Sequence, residues 1–272
     1  MSKKIIRRTT TGVLSLAVLA GATITPAFAD TDSESPKNVI VMIGDGMGYN
    51  HVVNTNLYET GQSQFITSGE PGDVTEHEGE PVQVYEDFNH VAMTTTSLNS
   101  LEAGYEYDAE GAWGDFNWAK NAATDSAAAG SAMATGTKIY NGALNIDAEG
   151  NELQTISELA HETGRAAGVV SSVQYSHATP ASYAVANESR NNYQEIGDAM
   201  LEAEYLDVVM GAGHPMYDND GNERQASYDY ITESTFNAVS NDETDWDFID
   251  TKDEFEALAD GTTPSDKVFG LA

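Results

Sequence analysis

Short apolar runs that recur between helix-like stretches constrain this chain most. The runs are NVIVMI at 38–43, AAGVVSSV at 166–173, LDVVM at 206–210 and KVFGL at 267–271. Runs this continuous suit strands covered on both faces, because a strand with one wet face would alternate polar and apolar residues. VAMTTTS at 91–97 has strand character as well. Helices are expected from Tyr49 onward, over Asp125–Thr135, Gln154–Glu162 (closed by Gly164), Pro180–Ser189 and Tyr193–Glu204, and over 225–240 and 251–259. Apolar strands alternating with helices imply an α/β fold, with a largely parallel sheet sandwiched between helical layers. Residues 61–87 read as a surface excursion, and 99–121 as an irregular, aromatic-bearing segment. Neither an internal repeat nor a low-complexity tract is evident.

The first 29 residues stand apart from the fold. Lys3, Lys4, Arg7 and Arg8 precede the apolar stretch Val13–Ala22, and Ala27-Phe28-Ala29 offers a small-x-small cleavage site before Asp30. That is the pattern of a signal peptide, too short and wrongly flanked for a membrane anchor. Export into the periplasm or the medium is therefore expected, with residues 30–272 as the N-terminal part of a single domain. The chain has no cysteine, so neither a disulfide framework nor a lipid-modified cysteine is available.

Charge narrows the partners. The chain carries 12 basic and 44 acidic residues, for a net charge of −32; without the signal peptide, eight basic residues face the same 44 acids, for −36. Such a surface excludes nucleic-acid binding by counterion release and repels anionic membranes. It also repels anionic substrates, so a phosphate site here must supply its own positive charge. The acids are spread along the chain, as on surfaces adapted to high salt, though an ordinary acidic secreted protein would read the same way.

Three segments carry chemistry. Asp45, between two glycines just past the first apolar run, lies where open α/β sheets place ligands and has room for a bulky partner such as a metal; a tight turn would use the same residue. In Thr124-Asp125-Ser126, Thr124 or Asp125 is an N-cap, which puts Ser126 in a first helical turn where backbone N–H groups favour a phosphoryl group. A serine there is also a common cap, and as a nucleophile it needs a base or a metal. His177 and Thr179, two apart at a strand end, can face one cation, and Arg190 can offer a planar guanidinium to two phosphate oxygens. GDGMG and Gly136-Thr137-Lys138 lack the glycine spacing of nucleotide-binding loops. Asp218-Asn219-Asp220-Gly221 lacks a full calcium-ligand set and is expected to be a plain turn.

Taken in order, NVIVMIGDGMG, TDSAAAGSAMATGTKIYNGALNID and GVVSSVQYSHATPASYAVANESR resemble the bacterial alkaline phosphatases over residues 38–190. The resemblance implies a three-layer α/β/α sandwich and a phosphate-monoester hydrolase with two Zn²⁺ and one Mg²⁺. It implies that Ser126 is phosphorylated during turnover and that Arg190, with Asp125 and Ser126, binds the phosphate. Asp45 and Ser126 then serve as metal ligands, with His177 and Thr179 at the magnesium site. Some members carry Asp where this chain has His177, which weakens a hard-cation site. The remaining metal ligands are expected beyond residue 272, so the chain reads as an incomplete domain, catalytically inactive or nearly so, with 267–271 left as an unpaired strand. A homodimer is implied by the family alone. A phosphodiesterase or sulfatase of the same superfamily, or a secreted metal- or phosphate-binding fragment without turnover, stays open on sequence.

Self-repulsion at this charge should be relieved by screening. The melting temperature of residues 30–272 is expected to rise between dilute buffer and molar NaCl; a flat or falling value would remove salt adaptation.

Overall fold

In the computed structural model, strands β3 (Gly168–Gln174), β4 (Val208–Ala212), β5 (Asp247–Ile249) and β6 (Val268–Leu271) form a parallel sheet in the order β3-β4-β6-β5. The structure describes residues 37–63, 67–70, 73–76, 81–91, 93–104, 108–115, 117, 120, 123–262 and 265–272. The signal-peptide segment lies outside them, as do most of the aromatic residues of 99–121. The chain divides into two units, one ending at Ile43 and one spanning Gly44–Ala272.

In the first unit, residues 38–43 form neither helix nor strand, and Val39, Ile40 and Met42 are more than 80% exposed. The expected strand is therefore absent: a strand exists only through a ladder partner, and 38–43 has none among the described residues. VAMTTTS likewise forms no strand, though Ala92 is not among the described residues.

The second unit begins with a turn and α1 (Tyr49–Thr60), then an antiparallel hairpin of β1 (Thr67–Glu70) and β2 (Asp73–Glu76). Short helices α2 (Leu98–Glu102) and α3 (Ala109–Gly114) follow. Then come α4 (Ser126–Thr135), α5 (Ile156–Glu162), β3, α6 (Ala178–Ala181), α7 (Tyr193–Glu202), β4, α8 (Glu233–Ser240), β5, α9 (Lys252–Ala259) and β6. No helix among the described residues is long and apolar enough to cross a membrane.

The core gathers on β6. All four of its residues are buried, because β4 pairs with it on one side and β5 on the other. This corrects the expectation that 267–271 is an unpaired, exposed strand. β5, a three-residue strand too short and mixed to be read from sequence, supplies the second partner. Phe269 meets the Tyr175 ring edge-on at 5.1 Å and the Phe248 ring at 5.7 Å. From α7, Ile196, Met200, Gly197 and Leu201 are buried at helical spacing. Trp246 is buried and donates its indole N–H to Leu201 O at 2.8 Å.

Two expected helices are shorter than read. The helix over Pro180–Ser189 reduces to Ala178–Ala181 because other segments claim its carbonyls. Asn145, at φ 50°, donates its amide to Ser182 O at 2.8 Å and Val185 O at 2.9 Å. Asn187 and Leu144 then bond reciprocally, at 2.9 and 3.0 Å. The helix over 225–240 starts only at Glu233, capped by Thr232, since Ser227 N is held by Pro215 O at 3.0 Å. Two short turns resemble each other. In D-x-E-G-N at 147–151 and D-x-D-G-N at 218–222, the Asp Oδ1 accepts two backbone N–H groups, and the glycine takes φ 87° and 75°. The second is a turn at Asp218.

Helix α4 approaches α6 closely at Gly130, where an added Cβ would lie 2.2 Å from Ser182 Oγ and 2.9 Å from Ser182 Cβ. Rotating the hydroxyl clears the first contact but not the second. Gly130→Ala is expected to destabilise by about 1–3 kcal/mol despite the better helix propensity of alanine; urea denaturation showing equal or higher stability would refute this packing.

Candidate active site

The turn Gly44–Met47 closes by a hydrogen bond from Met47 N to Gly44 O at 3.0 Å, with Gly46 at φ 66°, a conformation that favours glycine. It ends at Gly48, the N-cap of α1, and it presents Asp45. Asp45 Oδ2 accepts the Ser126 hydroxyl at 2.7 Å and the Thr179 hydroxyl at 3.2 Å. Residues 81 and 134 positions apart in sequence thus share one carboxylate oxygen.

Ser126 opens α4 because Asp125 caps it. The Asp125 Oδ1 accepts Ala128 N at 2.9 Å, while Oδ2 accepts Gly142 N at 3.0 Å and the Arg190 guanidinium at 3.1 Å. The Arg190 and Asp125 side chains are 22% and 25% exposed, so the pair is only partly screened. Arg190 does not close a helix, as the sequence suggests. Its own N–H donates to Gly142 O at 2.8 Å, which ties it to the Asn141-Gly142 turn after α4. The positive end of α4 and a guanidinium therefore lie at the same helix terminus, an arrangement suited to an anion.

His177 makes aromatic contacts. It sits at the N-cap of α6, and its ring stacks on Tyr193 at 4.9 Å and 9°, with Tyr230 at 6.0 Å. The ring makes no hydrogen bond to Asp45, Ser126 or Thr179 among the described residues. Burial, and then the Arg190 charge, hold its pKa below the usual histidine range.

Sequence reasoning missed the support behind these groups. Asn141 accepts Asp125 N at 3.3 Å and donates to Ala123 O at 3.0 Å, and its own N–H goes to Asn99 Oδ1 at 2.8 Å. Lys138 donates to Thr94 O at 3.1 Å and also to Thr96 O. The available signal was the Lys138-x-x-Asn141-Gly142 spacing, read only as part of a motif.

The family profile described as Alkaline phosphatase matches residues 36–269. The chain belongs to the alkaline phosphatase family. It is 30% identical to alkaline phosphatase 4 of Bacillus subtilis, over 85% of this chain and 47% of that one. It is 32% identical to alkaline phosphatase of Escherichia coli, over 62% of this chain and 30% of that one. The crystal structure of a cold-active alkaline phosphatase from a psychrophilic Shewanella matches with a TM-score of 0.56 and 27% identity, over 85% of this chain and 44% of that one. The chain thus spans about half the length of the curated Bacillus relatives it matches.

Alkaline phosphatases generally use metal ions. A carboxylate converging with two hydroxyls fits part of the shell of an oxygen-preferring cation. It does not make a zinc site, which takes four ligands largely from Cys, His and carboxylates. Among the described residues no three His, Asp or Glu side chains group to hold a metal.

Asp125→Ala removes both the cap and the anchor of Arg190. A loss of about 1–2 kcal/mol in unfolding free energy is expected from the cap alone. Denaturation with an unchanged midpoint would show that α4 starts without it.

Proposed function

We propose that this chain carries the phosphoryl-accepting part of a secreted phosphate-monoester hydrolase, with Ser126 as nucleophile. The observation that supports this best is the Ser126 hydroxyl at the N-terminus of α4, 2.7 Å from Asp45 Oδ2, with Arg190 held beside it by Asp125. A monoester dianion would meet Arg190 and the first-turn N–H groups of α4, the main local positive charges in a strongly acidic protein. Ser126 Oγ would attack phosphorus in line and give up its proton, while the ester oxygen leaves with a proton as the alcohol. Water then cleaves the phosphoserine, returning inorganic phosphate and the serine hydroxyl. Asp45 orients the attacking oxygen, and Asp45 with Thr179 would hold a divalent cation such as Mg²⁺. Such a cation would lower the proton affinity of Ser126 and offset the charge of the phosphate. Zn²⁺, implied at two positions by the resemblance, needs donors that the described residues do not provide. Export through residues 1–29 and assembly into a homodimer complete the reading.

With zinc and magnesium added, the 272-residue chain is expected to hydrolyse p-nitrophenyl phosphate at or near background. Long incubation with that ester, acid quenching and peptide mapping should still find a small yield of phosphate on Ser126, and none in Ser126→Ala. Phosphate on another residue would reassign the nucleophile. Arg190→Ala should lower labelling, since a charge-assisted contact is worth on the order of 1.5–3 kcal/mol. Preferred reaction with p-nitrophenyl sulfate or bis-p-nitrophenyl phosphate would point to a sulfatase or diesterase instead.

A further inference from the structure

Beyond the carboxyl ends of β4 and β5 lies a cavity of about 590 Å³, within the range of small-molecule sites. None of Asp45, Ser126, Thr179 or Arg190 lines it. After β4 the chain turns at Gly213, φ 109°, and places His214 at the strand end; Asp250 directly follows β5. Both strands flank β6 in a parallel sheet, so their ends open on one edge, where open α/β sheets hold ligands.

His214 is only 5% exposed. Its Nδ1 accepts Met216 N–H at 3.0 Å, which leaves Nε2–H to donate to Asp250 Oδ2 at 3.3 Å. Burial outweighs the pull of Asp250 and keeps the ring below the usual histidine range, hence neutral at neutral pH. Around it stand Tyr217 at 4.8 Å, Phe236 edge-on at 5.5 Å and Phe248 at 6.3 Å. Glu223 and Glu254 join Asp250 in the lining. The facing cation, Arg224, is committed to backbone, donating to His214 O at 2.9 Å and Pro215 O at 3.3 Å. Asp250 Oδ1 and the Glu223 carboxylate accept no hydrogen bond among the described residues.

Three carboxylates against one guanidinium repel phosphate and other anions and draw cations. Metal ions lack a grouped ligand set here, whereas aromatic faces attract organic cations. We infer that this cavity binds a small organic ammonium, its carbon skeleton against Tyr217, Phe236 and Phe248 and its charge met by Asp250 and Glu223. This site does not depend on turnover at Ser126.

The test is calorimetric titration of the 272-residue chain with choline, with benzylamine, and with 3,3-dimethylbutan-1-ol, an uncharged analogue of choline in shape. Both amines should bind saturably in the millimolar range or tighter, and the alcohol far more weakly. Asp250→Asn and Glu223→Gln should each weaken amine binding about tenfold, the loss of one charge-assisted contact. Both side chains are partly or fully exposed, and circular dichroism checks that the variants fold. Equal binding of the alcohol, amine binding unchanged in both variants, or no saturable binding of either amine would each overturn the inference.

Discussion

The carboxylate of Asp125 joins three stretches of chain that are otherwise separate. One oxygen caps α4 through Ala128 N, and the other takes Gly142 N and Arg190. The cap fixes where α4 begins, and so where Ser126 points. The ion pair fixes where the guanidinium sits relative to that helix end. Asn141 steadies the same residue from its backbone side. A carboxylate this heavily used cannot move without moving the hydroxyl and the guanidinium together, which is how a site gains precision from a flexible side chain.

Close packing serves the same end. Helix α4 meets α6 at Gly130, where no side chain fits, so Ser126 on α4 and Thr179 on α6 come near enough to share Asp45. The surrounding charge sharpens the requirement. With eight basic residues in 30–272, a guanidinium and a helix terminus in register are scarce, and the fold sets them in one place. At the other cavity the balance reverses: carboxylates dominate, and Arg224 is turned onto backbone carbonyls.

Strands β3, β4 and β6 were legible because a buried parallel strand must be apolar throughout, and few other elements read that way. The cap of α4 was legible for a similar reason, since the Asp125 side chain answers a local backbone donor. The stretch 180–189 was not legible. Its composition permits a helix, but Asn145, 37 residues from Ser182, takes the carbonyls that a helix would use. Apolar content also misled at 38–43, because hydrophobicity identifies what can be a strand but not whether a partner is present.

The sequence by itself singled out the candidate residues: Asp45 beside a glycine turn, Ser126 after its cap, Thr179 and Arg190 in their motif. Local rules suffice there, because caps and turns are settled within a few residues. Only the tertiary structure decided their company. It brought Ser126 and Thr179 onto one oxygen of Asp45, bound Arg190 to Asp125, and laid His177 against Tyr193. It also set His214 and Asp250 side by side at the sheet edge, from strands whose order no local pattern encodes. Such pairings span from 16 to 134 residues, and they depend on how buried surfaces fit once the chain has collapsed.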